Sequence, residues 1–373
     1  MQTENKTINN LELQIIQTTP YQDQNPGTSG LRKKVKHFQQ KNYLENFIQS
    51  IFLSHPESEY VNKTLIVGGD GRYYNDIAIQ IIIKIASANG IKRIHIAEKG
   101  HMSTPAISLE VRSTENCFGA IILSASHNPG GENEDFGIKF NNASGAPAPE
   151  NITSKIFNNS KEIKNYKFLN FSEKIYFKIN ENTTIEFLDE EKKLRICEIL
   201  IVSTTDKYIK KMKELFNFEK LRKLFNRKDF KFCFDGMHGA SGPYAHELFS
   251  KEFNLPEENL FNCDILPDFG GLHPDPNLVH AKKIVDLLDI KKQKSAKELE
   301  QVFDFGAACD GDADRNMILG KQFFISPSDS IAIIAANLDL IPSLVVNKSK
   351  GLARSMPTSG ALDRVAEKMG IKV

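Results

Sequence analysis

A chain of 373 residues, 40% hydrophobic and 25% charged, has the makeup of a soluble globular protein with room for two or three domains. Its formal net charge of +1 supplies no global field for nucleic acid or for an anionic membrane, and no stretch approaches the roughly 20 apolar residues that span a bilayer. The widely spaced Cys117, Cys197, Cys233, Cys263 and Cys309 include no CxxC pair, which argues against a zinc or redox motif and fits reduced thiols. The opening MQTENKTINNLELQ has neither the basic start nor the apolar run of a signal peptide, so a cytosolic setting is expected.

From about residue 64 the pattern alternates between strand-like and helix-like segments. TLIVGGD (64–70) reads as a buried strand ending in a turn, and DIAIQIIIKIASANG (76–90) as a helix closed by Gly90. IKRIHIAEKG reads as a strand, TPAISLEVRST as a helix opening on Thr104-Pro105, and CFGAIILSAS as a third strand. That βαβαβ order predicts a mainly parallel sheet with helices on both faces. Residues 151–206 are polar and rich in Asn and Lys; they read as a helix and loops leading to a connection. Alternation resumes with strand DFKFCFDG (229–236), a helix over 242–253, strand NLFNCDIL, a helix near 279–290 and strand QVFDFGAACD (301–310). A last run holds helix SDSIAIIAANL, strand SLVVNK and helix SGALDRVAEKMG.

Chemistry concentrates in three segments. DGDADR (310–315) alternates Asp310, Asp312 and Asp314 with small residues at the end of a strand, the edge where open α/β sheets hold ligands. Carboxylates crowded this way repel one another unless a hard cation joins them, and oxygen-only ligation suits Mg²⁺ or Ca²⁺. An EF-hand is excluded, because its sixth and twelfth positions would be Arg315 and Lys321 instead of Gly and Glu. A solvated acidic turn remains the alternative.

ILSASHNPGGENEDFGIKFN (122–141) ends an apolar strand at Ser126 and turns through Asn128-Pro129-Gly130-Gly131. Backbone N–H groups around the glycines can face an anion, so Ser126 can carry a phosphate. His127 is poorly placed to deprotonate its neighbour if the chain is extended there, and the G-x-S-x-G elbow is missing. Lys139 in the following strand is the better acid/base candidate. A polar turn without chemistry is the alternative. In PYQDQNPGTSGLRKKV, Gly27-Thr28-Ser29-Gly30 and Arg32 can clamp a phosphate, or form a plain basic loop.

Three further segments read as structure first. GGDGR (68–72) fits no phosphate loop, and Arg72 reads as a surface residue. GGLHPDPNL (270–278) reads as a rigid turn, with substrate contact by His273 and Asp275 as the alternative. In RSMPTSGALDR, Thr358 and Gly360 can meet a sugar, while an N-cap explains Thr358 or Ser359 equally well.

Taken together and in this order, PGTSGLR, SASHNPGG with DFGIKFN, GGLHPDPNL, DGDADRNMILG and MPTSGALDRVA resemble the α-D-phosphohexomutase superfamily, and within it the eukaryotic phosphoglucomutase/parafusin type. The resemblance runs over about residues 18–373 and is weakest in 151–206. It implies tandem α/β domains with mixed, mostly parallel sheets: 1–205 with the phosphoserine loop, 206–320 with the metal loop, and 321–373 as the start of a third. A complete third domain and a fourth are then expected to be missing, with a GEESFG-like sugar loop and a C-terminal phosphate loop.

The resemblance also implies roles. Ser126 matches the phosphorylated serine, and Asp310, Asp312 and Asp314 match Mg²⁺ ligands completed by a Ser126 phosphate oxygen. Lys139 matches a general acid/base, His127 a residue beside the phosphoserine, and Arg32 and Arg315 active-site arginines. Thr28 and Ser29 fall in the first phosphate loop, and Thr358 and Gly360 in a sugar-contacting loop. The implied reaction passes phosphoryl groups between glucose 1-phosphate and glucose 6-phosphate through glucose 1,6-bisphosphate. The implied partner is therefore a small sugar phosphate, with no nucleic acid and no transmembrane segment. The alternative expectation is a short non-catalytic paralogue acting as a binding or scaffold phosphoprotein.

Overall fold

The computed structural model describes residues 4–346 and 351–373. Fourteen strands among them run β1 (Glu4–Gln17), β2 (Leu31–Lys34), β3 (Thr64–Gly69), β4 (Arg93–His101), β5 (Cys117–Leu123), β6 (Asp135–Asn142), β7 (Asn165–Leu169), β8 (Glu181–Leu188), β9 (Leu194–Val202), β10 (Phe232–Asp235), β11 (Leu260–Phe261), β12 (Phe305–Cys309), β13 (Asn316–Gly320) and β14 (Phe323–Ile325). They form two mixed sheets, ordered β2-β6-β5-β3-β4-β9-β8-β1-β7 and β11-β10-β12-β13-β14.

The centre of the first sheet is the predicted βαβαβ run. β3 pairs parallel with both β4 and β5. Its strands are apolar on both faces because helices cover both. Leu65, Val67, Ile121 and Leu123 face one core with Phe47, Ile79 and Ile83 from helices Tyr43–Leu53 and Asn75–Ala88. Ile66, Ala120 and Ile122, one residue out of phase, face the other with Ile107 and Val111 from helix Thr104–Ser113. That period of two is what a pleated strand imposes. Ser103 caps the helix by accepting from the Ala106 N–H, and Pro105 sits in its first turn.

Residues 151–206 depart from the expected helix and loops. Helix Glu150–Glu162 is present, but β7, β8 and β9 follow it and extend the first sheet. β1, unread in the sequence, lies between β8 (parallel) and β7 (antiparallel). Asn10 takes a left-handed φ of 59° where the β1–β8 register shifts between Ile8 and Leu11, so a bulge interrupts the alternation that would have flagged the strand.

The second sheet is parallel over β11-β10-β12 and antiparallel over β12-β13-β14. Helix 242–253 is present, changing to π-helical bonding over His246–Glu252. Tyr244 from this region packs into the second core of the first sheet and ties the two units together. In the last run, helices Ser330–Ala336 and Ala361–Met369 meet through Ala332, Ala335 and Leu362. The expected strand SLVVNK is instead a short helix, Pro342–Val346, over its first part; its last residues lie outside the described ones. Pro342 stands at the first helical position, where its fixed φ favours a helix. Among the described residues, no helix is long and apolar enough to cross a membrane.

Candidate phosphoryl-transfer site

Two loops from different sheets meet here. The first leaves β5 and carries Ser126, whose φ of 54° is left-handed. The second is the β12–β13 hairpin turn Asp310–Arg315, in which the Ala313 N–H donates to the Asp310 carbonyl at 3.0 Å. The Ser126 Oγ donates to Asp310 Oδ2 at 2.8 Å, joining residues 184 positions apart.

Ser126 is 2% exposed and rigidly held. Its N–H donates to Ser124 Oγ (2.7 Å), and that hydroxyl donates to Asp70 Oδ2 (2.6 Å). Asp70 in turn pairs with Arg72, whose Nε and Nη2 lie 3.0 and 2.9 Å from its carboxylate. Arg72 then returns to the serine loop, donating from Nη2 to the Ser126 carbonyl (2.9 Å) and from Nη1 to the Asp135 carbonyl (2.8 Å). Both side chains of the pair are fully buried. The surface position expected for Arg72 is thus overturned: its charge is matched by Asp70 and its remaining N–H groups by main-chain carbonyls. Phe269 of the second unit lies beneath, with the Arg72 guanidinium 5.1 Å from its ring centroid.

The acidic loop is equally enclosed. Asp310 and Asp312 are fully buried, and Asp314 is partly exposed. Asp312 Oδ2 accepts from Thr104 Oγ1 at 2.6 Å and from Lys139 Nζ at 3.1 Å. Burial, joined by the neighbouring Asp312, pushes the Asp310 carboxyl up to about 7. Burial acts on Asp312 the same way, but Lys139 and the Thr104 hydroxyl outweigh it and hold Asp312 below the usual carboxylate range. Asp314 is raised by burial and by Asp312. The three carboxylates can bring ligand atoms within 4.8 Å of one another, and buried Asp312 Oδ1 has no hydrogen-bond partner. An orphaned carboxylate oxygen among crowded acids fits a hard divalent cation.

Cationic groups ring this pair of loops. Arg315 donates from Nη1 to His127 Nδ1 at 2.7 Å, which leaves the ring proton on Nε2. Burial and Arg315 lower the His127 pKa, so the ring is neutral at pH 7. His127 therefore points to Arg315 while Ser126 Oγ points to Asp310; it is not the serine's base, although the backbone is left-handed and not extended. Arg32 on β2 is half-buried, and its buried Nε has no partner. Burial is the main influence lowering its pKa. Lys139 on β6 lies against Gly30, whose φ of 88° allows an approach that a side chain would block.

The sequence candidates divide accordingly. Ser126, Asp310, Asp312, Asp314, Lys139, His127, Arg32 and Arg315 converge. Thr28 lines a small cavity with Gly27, Gly30 and Lys139, while Ser29 is exposed. Thr358 and Gly360 stand apart: Thr358 Oγ1 meets Ser355 Oγ at 3.0 Å, and among the described residues no hydrogen bond joins either to the two loops. Sequence reading missed Asp70, Arg72, Ser124 and Thr104 as parts of the site. The available signal was position, since GGDGR ends β3 beside the end of β5.

A mixed α/β chain presenting a buried serine to an aspartate triad has the layout of a phosphohexomutase, and comparison agrees. The chain belongs to the phosphoglucomutase/phosphomannomutase family: the family's alpha/beta/alpha domain I matches residues 23–167 and its domain II residues 206–322. Among its relatives, Phosphoglucomutase-1 of Paramecium tetraurelia is 51% identical over 362 residues, covering 95% of this chain and 62% of that protein. A probable cytoplasmic phosphoglucomutase of Arabidopsis thaliana is 47% identical, covering 97% of this chain and 61% of that protein. The crystal structure of pp63/parafusin from Paramecium, an exocytosis-sensitive phosphoprotein and phosphoglucomutase, superposes with a TM-score of 0.91 at 49% identity. That match covers 100% of this chain and 64% of that one. The chain thus spans about 62% of the length of the first of these curated relatives.

Proposed function

We propose that this chain carries the phosphoryl-transfer centre of a phosphoglucomutase, interconverting glucose 1-phosphate and glucose 6-phosphate through phospho-Ser126 and glucose 1,6-bisphosphate. The observation that carries this reading is the 2.8 Å bond between Ser126 Oγ and Asp310. It joins a buried, rigidly held hydroxyl to the carboxylates best suited to a cation. Asp310, Asp312 and Asp314 would hold Mg²⁺, with a phosphate oxygen on Ser126 as a further ligand. Bound there, the ion supplies charge neutralisation for the phosphoryl oxygens.

The rest falls to the chain's own residues. Arg32 and Arg315 bind phosphoryl oxygens, and Thr28 and Ser29 assist at the edge. Lys139, paired with Asp312 and Asp314, moves a proton at the sugar hydroxyl that attacks. His127, neutral and donating from Nε2, faces the phosphoserine oxygens. Thr358 and Gly360 take the sugar. Phosphoryl transfer depends on alignment and charge more than on covalent help, which is what a serine fixed by Ser124, Asp70 and Arg72 provides. Sugar phosphates as substrates and a cytosolic setting belong to the same proposal, supported by the names of the relatives.

The test is a half-reaction. The chain, with Mg²⁺, is incubated with glucose 1,6-bisphosphate and digested for mass spectrometry, beside Ser126→Ala. Phosphate on the Ser126 peptide, absent from the variant, is the expected result, with coupled production of glucose 6-phosphate from glucose 1-phosphate as the second readout. An unmodified Ser126 peptide would overturn the reading.

A further inference from the structure

Outside that centre, His273, Asp275 and His280 gather at the rim of the second unit. Their ligand atoms all lie within 4.8 Å of one another. The segment is HPDPNLVH, so Pro274 stiffens the chain between the first imidazole and the carboxylate, and Pro276 stiffens it just beyond the carboxylate. The imidazole centroids of His273 and His280 are 4.2 Å apart. Among the described residues, neither ring makes a hydrogen bond, so each has nitrogens free to ligate.

Asn277 organises the cluster. Its Nδ2 donates to Asp275 Oδ2 at 2.8 Å, and its Oδ1 accepts from the N–H groups of Val279 (2.8 Å) and His280 (3.0 Å). One side chain thereby fixes the carboxylate, leaves Asp275 Oδ1 free, and sets the backbone from which His280 projects. A carboxylate oriented from behind in this way is the usual support of a ligating group.

We propose that His273, Asp275 and His280 form a second metal site, selective for a borderline divalent transition ion of the Zn²⁺, Co²⁺ or Ni²⁺ class. Two imidazoles and one carboxylate suit such ions, whereas the all-oxygen aspartate loop suits Mg²⁺. With bonds of about 2.1 Å, two ligand atoms on one ion lie at most about 4.2 Å apart, so side-chain rotation of the partly exposed groups closes the cluster. The remaining positions go to water. His127 stacks on His273 at 6.3 Å between centroids, which puts this site one ring away from the phosphoryl-transfer centre.

The experiment titrates Co²⁺ into the full chain with Mg²⁺ in large excess, following visible absorption and bound metal by equilibrium dialysis. One Co²⁺ per chain with an imidazole-type spectrum is expected. His273→Ala and His280→Ala should each abolish it with unchanged circular dichroism, Asn277→Ala should weaken it about 10–100-fold, and Asp310→Asn should retain it. No Co²⁺ bound against Mg²⁺, binding untouched by His280→Ala, or binding lost in Asp310→Asn would each overturn the proposal.

Discussion

The Arg72 guanidinium donates from Nη2 to the main-chain carbonyl of Ser126 at 2.9 Å while its Nε and Nη2 hold the Asp70 carboxylate, so one buried ion pair fixes the serine from behind. Two consequences separate experimentally. Arg72→Met leaves Asp70 buried and unpaired, at a cost of about 3–5 kcal/mol. Adding Asp70→Asn should restore much of that stability in urea melts. It should not restore Ser126 phosphorylation by glucose 1,6-bisphosphate, because the carbonyl anchor stays missing. A double variant that recovers the rate along with the stability would limit Arg72 to a structural role.

This pair marks the boundary of what the sequence discloses. The serine and aspartate loops are legible because their chemistry is local: small residues, turns and carboxylates within a few positions. Arg72 is not, because its burial depends on Phe269, Ser126 and Asp135 arriving from elsewhere in the chain. β1 shows the same difficulty in the fold. Its partners β7 and β8 lie more than a hundred residues away, and the bulge at Asn10 breaks its period. The β3–β5 core, covered on both faces and joined by short helices, was legible from its apolar runs.

Asp310, Asp312 and Asp314 are held together against their mutual repulsion, which makes the metal-free loop a place of stored instability. Asp310→Asn should therefore stabilise the chain in chelator, by on the order of 1 kcal/mol, and raise its melting temperature there. Mg²⁺ should stabilise the parent chain, and the same variant should lose that gain. Scanning calorimetry with and without Mg²⁺ reads both. A parent chain indifferent to Mg²⁺ would contradict the assignment of these residues as its ligands.

Glu110 gives a pH prediction at the junction of the two units. It is 2% exposed; it takes bonds from His95 Nδ1 (2.9 Å) and from Lys207 Nζ (2.7 Å) on helix Asp206–Leu215. Burial alone would raise its pKa, but His95 and Lys207 outweigh burial and leave it below the usual value. A carboxylate depressed in the folded state contributes stability above its unfolded pKa of about 4.3, and loses it as pH falls through the folded value. Glu110→Gln should lower the urea midpoint at pH 7, by about 1–3 kcal/mol in stability, and flatten the decline on acidification below about pH 4.3. Parallel pH profiles for variant and parent would show that Glu110 is not the linked group.

Gly311, between the first two aspartates, tests how closely the two loops must fit. A Cβ there would lie 2.7 Å from the Ser126 carbonyl oxygen and 3.2 Å from the edge of Phe269. Neither can yield easily. The carbonyl is held by Arg72, and the Phe269 ring is fully buried. Gly311→Ala should therefore part Ser126 from Asp310, at a cost of about 1–3 kcal/mol and with a larger proportional loss in the rate of Ser126 phosphorylation. Gly320→Ala is the control, since its Cβ would meet nothing nearer than 3.7 Å on the same hairpin. The comparison isolates loop contact from the general effect of adding a methyl group to β12–β13. Equal phosphorylation rates in the two variants would mean that the Ser126–Asp310 approach tolerates displacement and that alignment of the serine is set elsewhere.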